Sequence, residues 1–503
     1  MAPHFPDELL LYTFSYLINW NKNAREGDGV FGGLEERGQS TLAALCATCK
    51  RFRLIAEPML YSIFIKPENV YDRLAPNSVL QSTRHEPNGV LRLYLRTLLD
   101  RPDLAAQVQT VQLRAWEIEE RLDDDLFWAG VTVAPGEPVP PSLELARKFY
   151  QAATRLVSDL DSRLDWLICL CRGDEDAEIA LLLALLPNVE RLQIVFPNVG
   201  MDRYGIFFFH LIVQEALNPD RPTMHTFSRL KVLEARSYWM EEIDVGLPLY
   251  CFTHFFRLPC IEVFKAYHMI VDDPDEWGEW LCPLGVSKIR DLHLEKSIVS
   301  SEAVAKLMNS CKGLRSLYVT FPPNQHTAVV FAWPEISNAL EHHTRSLQCL
   351  TVDLAEDTST APLNTLKYFD KLRDIELNQI ALIGRSVSSQ DDEHKATTEA
   401  ELADMFPSSL ESLTILDPTS AIDSSLERLS HSLVSLPRLR RIGIHGGDEY
   451  NPPRPLYASD EKRQRKERVR LIGELFKGAG IEWVEVYRDS YSEWYSEEDD
   501  DEW

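Results

Sequence analysis

Residues 314–319 read LRSLYV: an apolar residue, two variable ones, an apolar residue, one variable residue and a final apolar one. The same phrase stands as VERLQI from Val189, LKVLEA from Leu230, IEVFKA from Ile261 and IRDLHL from Ile289. It continues as LQCLTV from Leu347, LRDIEL from Leu372, LESLTI from Leu410, LRRIGI from Leu439 and IEWVEV from Ile481. VQTVQL from Val108 adds an earlier copy. From Val189 onward the starts are 41, 31, 28, 25, 33, 25, 38, 29 and 42 residues apart. Strand side chains alternate between two faces, so the apolar positions of each phrase share a buried face and the variable ones point away from it.

The segments between phrases carry helix signals. SSLERLSHSLVSL suggests a capping box at Ser424 and Glu427, with Leu426, Leu429, Leu433 and Leu436 on one face. TEAELADMF repeats the device with Thr398 and Glu401, and PEISNAL places Pro334 at a helix start with Ile336, Ala339 and Leu340 on a stripe. The phrase resembles the L-x-x-L-x-L core of the leucine-rich repeat, although these intervals are longer and less regular. That resemblance implies an α/β solenoid, with parallel strands inside and helices outside. Strand–helix alternation also describes a doubly wound sheet, but no Gly-rich phosphate turn supports one. The phrase is missing between Leu113 and Val189, where SLELARKFYQAATRLVSDLDSRLDWLICL and DAEIALLLALL read as helices after the Pro-rich VAPGEPVPPS. This predicts a helical insertion.

The variable positions of the central repeats define a candidate binding face. They are Lys265 and Tyr267, then Asp291, His293 and Glu295, then Tyr318 and Thr320, Thr351 and Asp353, and Asp374, Glu376 and Asn378. Acids dominate, with aromatic residues among them, so a protein substrate with a basic segment is the expected ligand, against an ordinary solvated face.

At the other end of the chain, FPDELLLYTFSYL spans residues 5–17. Asp7 and Glu8 precede its leucines, the reverse of a signal peptide's charge order. Pro6 and the two acids suit a helix start, and Leu10, Phe14 and Leu17 fall on one stripe. A Gly-rich loop is expected next, until Ser40 caps a second helical stretch, TLAALCATCKRFRLIAEP, closed by Pro58. These parts, with the following MLY, resemble the F-box: an acidic start after proline, an apolar helix, Cys-Lys-x-Phe-Arg and a closing Pro-x-Leu-Tyr. Thr13 stands where that family usually has Ile or Leu, and the loop is longer than usual. The resemblance implies docking on a Skp-type adaptor and through it on a cullin, with the remainder holding a substrate. On this reading Pro6, Leu9, Leu10, Phe14, Leu17, Leu42, Leu45 and Phe52 bind the adaptor.

Composition narrows the classes. Lys+Arg of 52 against Asp+Glu of 78 gives 52 − 78 = −26, which disfavours nucleic acid and anionic membrane surfaces as partners. The longest apolar run, Ile179 to Leu186, is far short of the roughly 20 residues that span a bilayer. Nine scattered cysteines and no Asn-x-Ser/Thr site point to reduced thiols in a cytoplasmic or nuclear protein. No GxSxG, HExxH or complete phosphate loop is present. Cys46 and Cys49, like Cys169 and Cys171, fit core positions better than zinc, and His342 and His343 fit a helix surface. Neither a metal nor a cofactor is expected, and the chain is expected to be a non-catalytic receptor subunit.

The expected organisation is an F-box over 1–65, a linker and first repeat over 66–113, the helical insertion over 114–185, the solenoid over 186–488 and a disordered acidic tail over 489–503. The run EKRQRKERVR from Glu461 reads as a solvated helical face, with a nuclear address as the lesser alternative. Two functions follow: substrate receptor of a Skp–cullin–F-box ubiquitin ligase, or a leucine-rich-repeat interaction scaffold without ligase output.

Overall fold

The computed structural model describes residues 6–19, 33–66, 89–113, 142–196, 207–218, 225–237, 249–271, 280–322, 331–354, 362–384, 402–446 and 460–487. Thr398, Glu401, the acidic tail and most of the Gly-rich and Pro-rich loops lie outside them. The chain forms two compact units, Met1–Tyr238 with Arg257–Ile261, and Trp239–Phe256 with Glu262–Trp503.

The first unit opens with three helices: α1 (Asp7–Asn19), α2 (Gly33–Thr48) and α3 (Lys50–Leu60). Helix α2 begins before Ser40, so Ser40 is not its cap and Gly33 and Gly38 are helical. Gly38 is required there, because a Cβ would lie 2.2 Å from the Leu17 carbonyl oxygen. Pro58 lies inside α3 near its end.

Four parallel strands follow in order, β1 (Ile63–Ile65), β2 (Thr110–Leu113), β3 (Arg191–Phe196) and β4 (Val232–Ser237). β1 carries no phrase and was not expected. Its link to the helices is direct: Gln39 Nε2 donates to the Ile63 carbonyl at 2.8 Å. The other helices of this unit are α4 (Gly89–Asp100), α5 (Pro102–Ala105), α6 (Leu143–Leu156), α7 (Leu160–Arg172), α8 (Glu175–Leu185) and α9 (Phe207–Ala216). Ser142, Asp159 and Asp174 cap α6, α7 and α8 through their side chains. Helix α8, assigned above to the insertion, packs beside both α4 and α9 and so stands in the row of repeat helices.

A buried ionic network fixes that row. Lys66 Nζ lies 3.3 Å from Glu175, and Arg92 Nε donates to Glu178 at 2.5 Å. Asp176 accepts the amides of Phe208 and Phe209, capping α9 from outside. Burial pushes the Glu178 carboxyl up to about 7, against the downward pull of Arg92. Gly173 ends α7 at φ +92°, and a Cβ there would sit 2.2 Å from Arg92 Nη2. Glycine is needed for both the dihedral and the guanidinium.

The second unit carries the remaining repeats. Its sheet runs β5 (Val263–Tyr267), β7 (Asp291–Glu295), β9 (Ser316–Thr320), β10 (Cys349–Asp353), β11 (Asp374–Asn378), β12 (Ser412–Leu416), β13 (Arg441–Gly446) and β14 (Glu482–Tyr487), all parallel. Every phrase begins one or two residues before a strand. A second small sheet pairs β6 (Ile270–Val271) with β8 (Ile298–Val299). Its helices are α10 (Thr253–Phe256), α11 (Ser301–Ser310), α12 (Trp333–Leu340), α13 (Gln379–Ile383), α14 (Leu402–Met405), α15 (Asp423–His431) and α16 (Asp460–Gly478). Ser300 caps α11. Pro334 stands in the first turn of α12, as expected. Helix α15 begins at Asp423 with Ile422 before it and no side-chain cap, so the Ser424–Glu427 capping box is absent.

The phrase leucines build the interior: Leu292, Leu294, Leu317, Val319, Leu350, Val352, Leu413 and Ile415 are all buried. The last copy departs from this. Register pairs Ile442 with Trp483, so Trp483 is buried against Phe476 while Val486 is exposed. IEWVEV is thus one residue out of phase with the others, and such a slip exchanges the two faces.

The strand ends are held by a side-chain ladder. His268, Lys296 and Asp417 each follow a strand at positive φ (57°, 47° and 44°). The Met269 amide donates to Ser297 Oγ, the Lys296 amide to Thr320 Oγ1 and the Leu354 amide to Asn378 Oδ1. Asn378 is therefore a buried structural residue and not part of the open face. His343 is likewise buried, a correction to its expected surface position, whereas His342 is exposed. All nine cysteines are free, and Cys49 is exposed, its sulfur accepting the Phe52 amide at the start of α3. In the basic run, Arg465 bonds the Pro418 carbonyl and Arg468 lies 3.6 Å from the buried Asp423. Two of its six cations thereby hold α16 in place.

Candidate functional site

Two surfaces stand out, one in each unit. The first belongs to the opening helices. Phe14, Leu42 and Ala56 form their core, and Leu10, Leu17, Leu45, Cys46, Phe52, Ile55, Met59 and Leu60 pack around it. Phe14 meets Phe52 edge to face at 5.6 Å, and Asp7 pairs with Arg51 at 2.6 Å.

Of the eight expected adaptor residues, Phe14 and Leu42 are therefore interior. Leu10, Leu17, Leu45 and Phe52 are half-buried against them, and Pro6 and Leu9 are exposed. Leu11, Tyr12, Tyr16 and Leu54 are also exposed and were missed. On α1, residues 9, 12 and 16 are spaced i, i+3 and i+7, so Leu9, Tyr12 and Tyr16 share a stripe distinct from the core stripe of Leu10, Phe14 and Leu17. The two tyrosine rings meet edge to face at 5.0 Å and their hydroxyls are hydrogen-bonded, which orders the stripe. The spacing was present in the sequence; what it could not tell was which of two apolar stripes faces inward.

The second surface is the outward face of the second unit's sheet. Register aligns Lys265, His293, Tyr318, Thr351, Glu376, Thr414 and Gly443 in one row across seven strands. Tyr267 and Glu295 pair in the next row, as do Thr320 and Asp353. His293 stacks on Tyr318 with centroids 5.6 Å apart. Glu376 lies 3.5 Å from His445 Nδ1, and Cys349 Sγ donates to Asp374 at 3.7 Å. Burial, and then Asp374, pushes the Cys349 thiol up, so it stays protonated.

This face is more mixed than expected. Asp291 is buried and clamped by Arg315, whose Nε reaches Oδ1 at 3.0 Å and whose Nη2 bonds Oδ2. Its charge is used within the sheet. Arg315 and Arg441 add cations, and His445 an imidazole, that the variable-position reading missed, although Arg441 and His445 occupy the same variable positions in LRRIGIHG. Glu295, Asp353, Asp374 and Glu376 remain as acids at exposed or half-exposed positions, beside Lys265 and Tyr267.

Among the described residues no cluster of His, Cys, Asp and Glu could hold a metal ion. No described helix is long and apolar enough to cross a membrane. Beyond the two surfaces, the conspicuous polar groups are those of the Lys66–Glu175 and Arg92–Glu178 network, which lies under the helices of the first unit.

No curated protein matches the chain. The family model for the leucine-rich repeat domain matches residues 83–442. That span covers more than half of the chain and takes in nine of the eleven phrases in full, and within each unit the strands they form pair in parallel. The chain belongs to the leucine-rich repeat domain family.

Proposed function

We propose that the chain is the substrate-recognition subunit of a Skp–cullin–F-box ubiquitin ligase. The opening helices hold a Skp-type adaptor, and the sheet face of the second unit holds a protein substrate. The observation that carries this reading is the second apolar stripe of α1. Leu9, Tyr12 and Tyr16 stay in water although the bundle already has a closed core of its own. An apolar side chain of that size gains roughly 1.5–3 kcal/mol when a partner withdraws it from water, and the ordered stripe loses little freedom on docking. The F-box resemblance of residues 5–61 supports the choice of partner. The receptor acts by tethering: it raises the substrate's local concentration beside the transferring enzyme and performs no chemistry itself.

The substrate segment that suits the mixed face is basic and extended. Its cations would lie against Glu295, Asp353 and Glu376, with Tyr267 and Tyr318 supplying flat apolar area. The setting is cytoplasmic or nuclear, without nucleic acid or membrane as partner. A second reading is an interaction scaffold that lacks ligase output; the leucine-rich-repeat match, which lies wholly after the opening helices, favours it.

Affinity capture under proteasome inhibition separates the two. The intact chain should bring down an adaptor and a cullin, and a chain lacking residues 1–65 should lose both while keeping its substrate. Capture of adaptor without cullin would favour the scaffold, and capture of neither would remove the ligase reading.

A further inference from the structure

Strand β14 (Glu482–Tyr487) is the outermost strand of the second unit. It pairs with β13 on one side, and among the described residues no strand lies on the other. The Glu482 amide donates to the Arg440 carbonyl at 2.8 Å. Backbone groups alternate along a parallel strand, so Glu482, Val484 and Val486 direct theirs to β13, and Trp483, Glu485 and Tyr487 direct theirs outward. In the first unit the corresponding edge is closed by a side chain: Gln39 Nε2 donates to the outward carbonyl of Ile63 on β1. Among the described residues no side chain does the same for the Trp483 carbonyl.

The edge has few guards against a further strand. Its register is regular over all six residues, so it has no bulge, and it contains neither Pro nor Gly. Val484, Val486, Trp483 and Tyr487 are strand formers. What guards it is charge, from the exposed Glu482 and Glu485, and that guard has a sign. Residues 482–503 hold ten acids and one base, Arg488, which gives 1 − 10 = −9. The described cations around the strand do not cancel this. Arg470 and Lys477 pair with Glu467 and Glu474, while Arg465 and Arg468 are turned to Pro418 and Asp423. Counting Arg440, Lys466 and Arg441, which stands opposite Glu482, still leaves −9 + 3 = −6.

We infer that the outer edge of β14 takes an extended, basic segment of a partner protein as an added strand. The segment's backbone would bond the outward amides and carbonyls. Its cations would lie beside Glu482 and Glu485 and its apolar residues beside Val484 and Val486. A second copy of this chain would set the same acids against each other, and the chain's own residues 489–503 carry the same sign as the edge. The inference does not rest on the ligase reading or on the sheet face proposed for the substrate.

The test titrates the full chain with a labelled ten-residue peptide that alternates Lys with Val or Thr, followed by fluorescence anisotropy. The same peptide N-methylated at alternate residues keeps one bonding edge and should bind as before. Methylated at every residue it keeps its charge but no donor, and should bind at least tenfold more weakly. Glu482→Lys with Glu485→Lys should weaken the unmethylated peptide at least tenfold with thermal unfolding unchanged. On the native chain, amide exchange within residues 482–487 should slow when the peptide is bound. The inference is overturned if the peptide does not bind, if full methylation makes no difference, or if the slowed amides lie instead on the strands that carry Glu295 and Glu376. A dimer that the peptide dissociates in sedimentation would assign the edge to a second copy. Tighter peptide binding after removal of residues 489–503 would assign it to the chain's own acidic end. Either result overturns the partner-protein assignment.

Discussion

His343 Nδ1 accepts the backbone amide of Leu314 at 3.1 Å, across 29 residues of sequence. Its Nε2 lies 3.1 Å from the Met308 carbonyl, so the ring is neutral with the proton on Nε2. The histidine joins the end of one repeat helix to the start of the next strand. His225 has the same arrangement in the first unit, its Nδ1 accepting the Phe227 amide and its Nε2 meeting the Leu183 carbonyl. Both sit in His-Thr pairs a few residues before a phrase.

Replacing His343 by alanine should therefore destabilise the second unit by about 2–4 kcal/mol, because it orphans a buried donor and a buried acceptor and leaves a cavity. Burial holds this imidazole below its ordinary value of 6.5. The folded chain thus binds fewer protons than the unfolded chain just below that pH. The contribution of His343 is complete above about 6.5 and is lost as pH falls toward the folded value. Urea unfolding at pH 7.5 and pH 5.5 should show a smaller His343→Ala deficit at the lower pH.

The Arg92–Glu178 pair supplies a second expectation. Arg92→Met strands a buried carboxyl and should cost about 3–5 kcal/mol, and the double variant Arg92→Met with Glu178→Gln should recover part of that loss. Glu178 titrates at about 7 in the folded chain, above its ordinary 4.5. A raised carboxyl favours folding below the unfolded value, and that advantage disappears as pH rises through the folded one. The single variant's deficit should therefore be larger at pH 8 than at pH 5 in chemical denaturation, and the double variant's should vary less.

Much of this architecture was legible in the leucines. The apolar phrase located every strand that carries it, because a buried face repeated at fixed spacing leaves few alternatives. It did not reveal β1, which is too short to show a period, nor the phase of the last copy, where Trp483 could take the buried position as readily as Val484. Helix starts failed at Ser40 and Ser424, where tertiary packing carries the helix further than the local cap signals. The site was half legible. The variable positions did form a row, but the chemistry of a position depends on its neighbour across the strand. Arg315 removes Asp291 from that face, and Asn378 turns inward to hold the Leu354 amide; neither could be read without the register.

Within the sheet face, charge reversals should separate structure from recognition. Glu295→Lys with Glu376→Lys should leave thermal stability nearly unchanged and weaken capture of a basic substrate segment by tenfold or more. Asp291→Asn should lower stability by about 1 kcal/mol, since it breaks the Arg315 clamp. Differential scanning calorimetry and substrate capture on the same preparations distinguish the two effects.

In the opening helices, Phe14→Ala should destabilise the bundle by about 3–5 kcal/mol, because it opens a cavity beside Phe52. Leu9→Ala, Tyr12→Ala and Tyr16→Ala should leave its unfolding almost unaffected, since those side chains already lie in water. Circular dichroism melts of the full chain, compared variant by variant, check the contrast.

The proposed receptor role turns on what the outer stripe of α1 meets. Calorimetric titration of the purified full chain with a Skp-type adaptor tests it directly. Binding should be tight for the native chain, at least a hundredfold weaker for the triple variant at Leu9, Tyr12 and Tyr16, and unchanged for the Glu295 and Glu376 reversals. An adaptor that does not bind, or that binds the triple variant as well as the native chain, would contradict it.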